Sequence, residues 1–468
     1  MPTESATNTV AGERGRVERV SANDLTTLVT DRGPTPMNIG AVLVVEGGSS
    51  VGVEAVRSVL AARVPRVRRL RQRLVRTPPG CGRPVWVDDA AFDVARQVEE
   101  IRLAATPSHP EDDVPMTGAL HFPGSDLLDV AVAVVCTRLP RDRPLWSARW
   151  VTGLPDGDAA LVLVVHHCLA DGLGGIAVLA ALADDGADQV DPLDDTFPAA
   201  APSVASLARE AWQSRLAAWR RLPATLRRTA SGTRELMGGP HRTRLAVRSS
   251  LDRPTGARRR LSTATVPLKG LLEAAHRRGC TVNDLVLCAV SGAMRSTLQA
   301  RGEGLTELVV SVPISSRRAA TADRLGNETG VVPLALPLLA DGDERLRRIS
   351  ALTAARRGPA RGTSAAPLGV AFRALARVGL FQAFIDRQRL VHTFVTNVRG
   401  PATELSFAGH RVAGIVPAAV TPGNVGVSFD VLSYAGRLVV TVVADPVVVS
   451  EHASIAAGVQ SELSRLSA

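Results

Sequence analysis

Aromatic residues make up 3% of this 468-residue chain, and lysine occurs once, at Lys269. The core must therefore be built from Val, Leu, Ala and Ile. Nearly all the positive charge therefore sits on arginine. Cysteine is scarce too. The five cysteines, Cys81, Cys136, Cys168, Cys280 and Cys288, are odd in number and show no CxxC spacing. They supply neither a metal framework nor a disulfide scaffold and are expected to be reduced and mostly buried. No apolar run approaches the ~18 residues of a membrane-spanning helix. The first twenty residues, MPTESATNTVAGERGRVERV, are polar and carry no signal-peptide core. A cytoplasmic protein is expected.

What remains is globular: 45% hydrophobic and 21% charged residues, in a length that suits two domains. The net charge of +10 is unevenly spread, because residues 203–260 hold 14 Arg against three acids. Short β-branched runs at 37–47, 130–136 and 159–165 read as strands. Residues 53–75 and 175–184 read as helices. A Pro- and Ala-rich linker spans 191–203. Beyond it, Trp212 and Trp219 stand seven apart, on one face of a helix. The second half reads as a strand from 261, two helices over 268–302, strands at 308–314 and 330–338, a helical region at 366–390, four strands between 391 and 445, and a closing helix from about 449. The expected class is α/β (α+β). A loosely ordered N-terminus (1–18) precedes a first domain (19–195), a basic crossover segment (196–260) and a second domain (261–468).

The chemistry concentrates in VVHHCLADGLGG, residues 164–175. Neighbours on a strand point to opposite faces, so His166 and His167 cannot grip one metal ion, and no third ligand is spaced to help. No metal is expected. Cys168 is badly placed to pair with the adjacent imidazole. General-base catalysis by one histidine is the remaining chemistry, since a neutral imidazole takes a proton from an alcohol or thiol near pH 7. Gly172, Gly174 and Gly175 would let backbone or substrate come close. Two histidines that merely close a strand fit the spacing equally well.

His166-His167-Cys168-Leu169-Ala170-Asp171-Gly172 resembles the HHxxxDG signature of the bacterial wax ester synthase/acyl-CoA:diacylglycerol acyltransferases, within the chloramphenicol-acetyltransferase-like superfamily. PTPMNIGAV (34–42), RPLW (143–146), TVNDLVLCAVSGAMR (281–295), VPISSR (312–317), LGNETG (325–330) and TNVRGP (396–401) resemble further segments of that family, in its order. The resemblance spans roughly residues 19–468. It implies two similar domains, each a mixed sheet with helices, around a shared substrate tunnel. It also implies transfer of a long-chain acyl group from acyl-CoA, a co-substrate, to diacylglycerol or a long-chain alcohol, with no resident cofactor and no covalent acyl-enzyme. His167 would be the base. His166 would shape the loop or share the chemistry. Asp171 would turn away from substrate and pair with an arginine, for which Arg317 is the candidate, while Gly172 supports the turn. Asn283 would either donate to the oxyanion or simply sit in a first helical turn capped by Thr281 and Asp284. Trp146, Asn397 and Gly400 fall in family segments and are candidates for substrate contact, with packing or turn roles as the alternative. Arg399 stands where the family usually has proline. The acceptor could therefore differ from a plain fatty alcohol. An acyltransferase or condensation-like enzyme of secondary metabolism with another acceptor is the second reading, and a non-catalytic lipid-binding protein of this fold is the third.

The basic segment 203–260 has three readings: a solvated face, an interfacial helix on an anionic membrane or lipid droplet, or a site for the CoA phosphates. No nucleic acid is expected, because no DNA-reading motif or aromatic RNA platform accompanies the charge.

Overall fold

The computed structural model describes residues 17–104, 125–184, 197–220, 245–315, 329–355, 365–420 and 422–468. The first half supplies α1 (Ala22–Thr30), β1 (Asn38–Val45), α2 (Val53–Arg63), β2 (Gln72–Val75), β3 (Val85–Asp88), β4 (Val98–Arg102), α3 (Ser125–Val135), β5 (Trp146–Thr152), β6 (Ala159–His166), α4 (Gly172–Leu182) and α5 (Val204–Arg220). The second half supplies β7 (Arg260–Pro267), α6 (Leu268–Arg277), α7 (Val282–Ala300), β8 (Glu307–Ser315), β9 (Thr329–Pro337), α8 (Gly342–Ala355), α9 (Ala365–Arg377), α10 (Phe381–Ile385), β10 (Thr393–Arg399), β11 (Ser406–Phe407), β12 (His410–Ala419), β13 (Val427–Tyr434), β14 (Arg437–Ala444) and α11 (His452–Ser467).

Two six-stranded sheets organise these elements, in the orders β11-β12-β1-β6-β5-β4 and β7-β14-β13-β10-β8-β9, beside a β2-β3 ribbon. β6 shows why the first sheet is central. All eight of its residues are buried. Leu161, Leu163 and Val165 pack on one face with Trp146, Trp150, Val178 and Leu179. Ala160, Val162 and Val164 pack on the other with Leu127, Ala131 and Val135 of α3. A continuous apolar run with two covered faces is what a central strand needs. Each Val or Leu so buried stabilises by about 1.5–3 kcal/mol. The second sheet covers one face with α6, α7, α8 and α11. Its other face turns toward the first sheet, where Leu261 and Val443 join the cluster of Val162, Val164, Val416 and Ala418.

The boundary expected at 261 divides the two sheets except at β11 and β12. These late strands complete the first sheet, with β12 antiparallel to β1. Two further expectations differ. Residues 130–136 read as a strand but lie mostly in α3, where Leu127, Ala131 and Val135 recur at helical spacing on the buried side and Ala133 is exposed. A short apolar run carries no period long enough to tell the two apart. The helix expected over 53–75 stops at Arg63, because Pro65 cannot donate to the preceding turn, and the chain passes through tight turns into β2. Residues 1–16, within the segment expected to be loosely ordered, lie outside the described residues.

Candidate active site

β6 ends where its ladder ends. Asn38 and His166 are the last pair of β1 and β6, and the amide of His167 donates to the Met37 carbonyl at 2.8 Å. The two imidazoles then go opposite ways, as alternation along a strand requires.

His166 is buried inside the protein. Its Nδ1 accepts from the Cys168 amide at 3.1 Å, so Nε2 carries the proton toward Asp31 Oδ2 at 3.3 Å. Burial lowers the His166 imidazole below its ordinary range despite the pull of Asp31. Asp31 in turn accepts from Arg141 Nη2 at 2.7 Å, Arg138 Nη1 at 2.9 Å and the Met37 amide at 3.1 Å. Burial alone would raise this carboxyl, but His166 and then Arg138 outweigh it and hold it well below the usual range. Both nitrogens of His166 are thus engaged within the protein. Its neutral ring pins the turn 166–171.

His167 lines a cavity of about 130 Å³ between the sheets. Ile39, Ala41, Leu163, Val165, Ile176 and Leu179 make most of the wall apolar, while Thr396 and Asp430 add polar groups from the second sheet. Nδ1 of His167 is buried and has no hydrogen-bond partner among the described residues. Asp171 is the N-cap of α4, accepting from the Gly174 amide at 2.9 Å. Its expected partner, Arg317, lies outside the described residues. Gly172 is needed for a close approach: a Cβ there would sit 2.8 Å from Val398 Cγ2 on β10. Cys168 is buried and its thiol is pushed up by that burial, so it is no thiolate.

β10 separates this cavity from a groove of about 1100 Å³. Thr396 and Val398 face the cavity, whereas Asn397 and Arg399 line the groove with Asn283 and Gly400. Asn283 accepts from Asn397 Nδ2 at 3.1 Å, and the capping box of Thr281 and Asp284 is present beneath it. Asn283 is therefore placed across β10 from His167. Gly400 lets β10 close on β13, since a Cβ there would meet the Ser433 carbonyl at 2.5 Å. Trp146 lines neither cavity. It is buried in the core with its indole N–H donated to the Leu70 carbonyl at 2.8 Å. Residues 48–52, GSSVG, spell the GxSxG of a serine-hydrolase elbow, but they lie at the other end of β1, and Ser50 Oγ donates to the Gly47 carbonyl on the surface.

Two of the polar groups around the site were not among the sequence candidates. Asp430 had a signal, a lone acid within the apolar strand VGVSFDVL. Asp31 had none that spacing could reveal.

Residues 20–112 and 117–286 match the wax ester synthase/diacylglycerol acyltransferase catalytic domain, and residues 325–467 match the C-terminal domain of the same family. The chain is 31% identical, over 92% of its length and 90% of the relative's, to a probable diacylglycerol O-acyltransferase of Mycobacterium tuberculosis. A second putative diacylglycerol O-acyltransferase of that organism is 27% identical over 94% of both chains. Among solved structures, the wax ester synthase/diacylglycerol acyltransferase of Marinobacter aquaeolei superposes with a TM-score of 0.62 at 18% identity, covering 96% of this chain and 98% of that one. The first condensation domain of the calcium-dependent antibiotic synthetase gives 0.60 at 19% identity, covering 97% and 96%. These two likenesses concern the fold.

Proposed function

The chain belongs to the wax ester synthase/diacylglycerol acyltransferase family, and from that premise we propose that it moves a long-chain acyl group from acyl-CoA to the free hydroxyl of diacylglycerol, with His167 as general base. A long-chain alcohol is the alternative acceptor and would give a wax ester. The observation that carries the reading is an imidazole, unburdened at Nδ1, facing a cavity walled by both sheets.

In this mechanism the imidazole takes the proton of the acceptor hydroxyl as its oxygen attacks the thioester carbonyl. The C–O bond forms, the tetrahedral intermediate collapses, and the C–S bond breaks. The departing thiolate of CoA takes the proton back from the imidazolium. The general base contributes about 10²–10⁴-fold, and holding two substrates together contributes as much again. His166, Asp31 and Asp171 position the turn that carries His167. Asn283 and Asn397 brace the far side of β10.

The test is CoA release from palmitoyl-CoA with dioleoylglycerol. His167→Ala is expected to lose about 10²–10⁴-fold at unchanged circular dichroism. Activity retained by that variant would move the chemistry elsewhere.

Among the described residues no helix is long and apolar enough to cross a membrane. We propose that α5 supplies a peripheral attachment instead. Leu207 and Ala211 anchor it to the body of the protein, while Trp212, Leu216 and Trp219 are exposed beside Arg209 and Arg215. Exposed tryptophans flanked by arginine suit an anionic lipid surface. Trp212→Ala/Trp219→Ala should co-sediment less with anionic vesicles while keeping the wild-type Tm. Equal sedimentation of the two proteins would rule α5 out.

A further inference from the structure

Asp430 is a buried acid that the mechanism above does not use. It sits on β13, lines the same cavity as His167, and is 6% exposed. Its Oδ2 accepts from the Ala419 amide at 2.7 Å, across the seam between the two sheets. No arginine, lysine or histidine forms an ion pair with it among the described residues. Burial pushes the carboxyl up to about 7.

An uncompensated acid is an expensive way to satisfy one backbone amide, since a neutral side chain or a water would do as well. Nor does the cavity need it for shape, because most of the remaining wall is apolar. The sheet register adds a second observation. Thr396, Asp430 and Thr441 are in-register neighbours across β10, β13 and β14, so they share one face. Thr441 is fully buried, and its hydroxyl has no hydrogen-bond partner among the described residues. A row of polar groups, one of them orphaned, runs from the cavity into the seam.

A plain alkanol brings one oxygen, and that oxygen belongs at His167. Its tail asks for nothing polar. A diacylglycerol brings ester oxygens within a few bonds of the reacting hydroxyl. The cavity is small, about 130 Å³, and both His167 and Asp430 line it. A carboxyl that holds its proton near neutrality can donate to an ester carbonyl, which a carboxylate cannot.

We propose that Asp430 is the acceptor-selecting residue: within the cavity that His167 also lines, it hydrogen-bonds an ester oxygen adjacent to the reacting hydroxyl, and so favours glycerides over simple long-chain alcohols. This rests on acyl transfer at His167, and it identifies the acceptor class within that reading.

The experiment compares kcat/KM for dioleoylglycerol and for hexadecanol, with palmitoyl-CoA as donor, in wild type, Asp430→Val and Asp430→Asn, with the Tm of each. Asp430→Val is expected to lose about 10- to 100-fold with dioleoylglycerol, chiefly through KM, the range for a hydrogen bond of this kind. Hexadecanol should stay within about 3-fold. Asp430→Asn, which can still donate to an ester carbonyl, should recover most of the loss. If both acceptors fall together, or neither changes, Asp430 does not select, and the acyl-transfer reading survives. If wild type releases CoA with neither acceptor, the acyl-transfer reading fails and takes this one with it.

Discussion

A neutral His166 and a charged Asp31 form the hydrogen-bonded support under the turn, and both depend on pH. The folded-state pKa of Asp31 is depressed from its ordinary 3.8. Its contribution is present above that value and is lost as pH falls. His166 is likewise depressed from 6.5, so its contribution is present above that value and fades on acidification. Asp430 has the opposite sign. Its pKa is raised from 3.8 to about 7, so its contribution is complete below pH 3.8 and is lost as pH rises through 7. Two outcomes are expected in thermal unfolding. Asp31→Asn lowers stability at pH 7 by about 1–3 kcal/mol, and the deficit narrows below pH 4. Asp430→Asn matches wild type near pH 4 and exceeds it at pH 8, by upwards of about 1 kcal/mol, each pKa unit being worth about 1.4 kcal/mol. A lower Tm for Asp430→Asn at pH 8 would mean that the carboxylate is stabilised by a group outside the described residues.

At the scale of the element, α4 and β10 meet at Gly172 and Val398. Gly172→Ala forces a methyl group into the 2.8 Å gap and should cost about 1–3 kcal/mol. Because the clash has one named partner, Gly172→Ala/Val398→Ala should regain part of that loss, a coupling that a double-mutant cycle of urea unfolding reads directly. Simple additivity would show that the glycine serves some other purpose. The site was legible in the sequence where chemistry and position coincide. His167 follows the end of an apolar strand, where residue type and position point to a candidate base; Asp171 stood out through its resemblance to a family signature, and its capping of α4 shows only in the fold. Long-range contacts left no such trace. The Asp31–His166 pair joins residues 135 positions apart. Asn283 reads from sequence either as an oxyanion donor or as a first-turn residue above a capping box, and only the fold shows the Asn397 contact that joins α7 to β10. α3 was misread for a different reason: its apolar face is so broad that alternation and helical spacing predict the same letters.

At the scale of the whole molecule, a reading from end to end expects two consecutive lobes, and most strands obey it. β12 does not. No local pattern marks His410–Ala419 as belonging to the earlier sheet, because its mix of buried and half-buried residues would suit a strand of either sheet. Residues 1–260 expressed alone would leave the β1 edge bare, and an unpaired apolar edge promotes aggregation. That fragment is expected to be insoluble, and co-expression of 261–468 to return soluble material. A soluble, cooperatively melting 1–260 fragment would show that the first sheet closes without β12.

That crossing strand also bears on how a greasy product gets out. The two lobes are stitched along the full β1–β12 ladder, beside the seam that holds His167. Because β12 moves with β1, opening the seam for that product would leave this ladder intact and would have to bend the chain on either side of β11 and β12 instead.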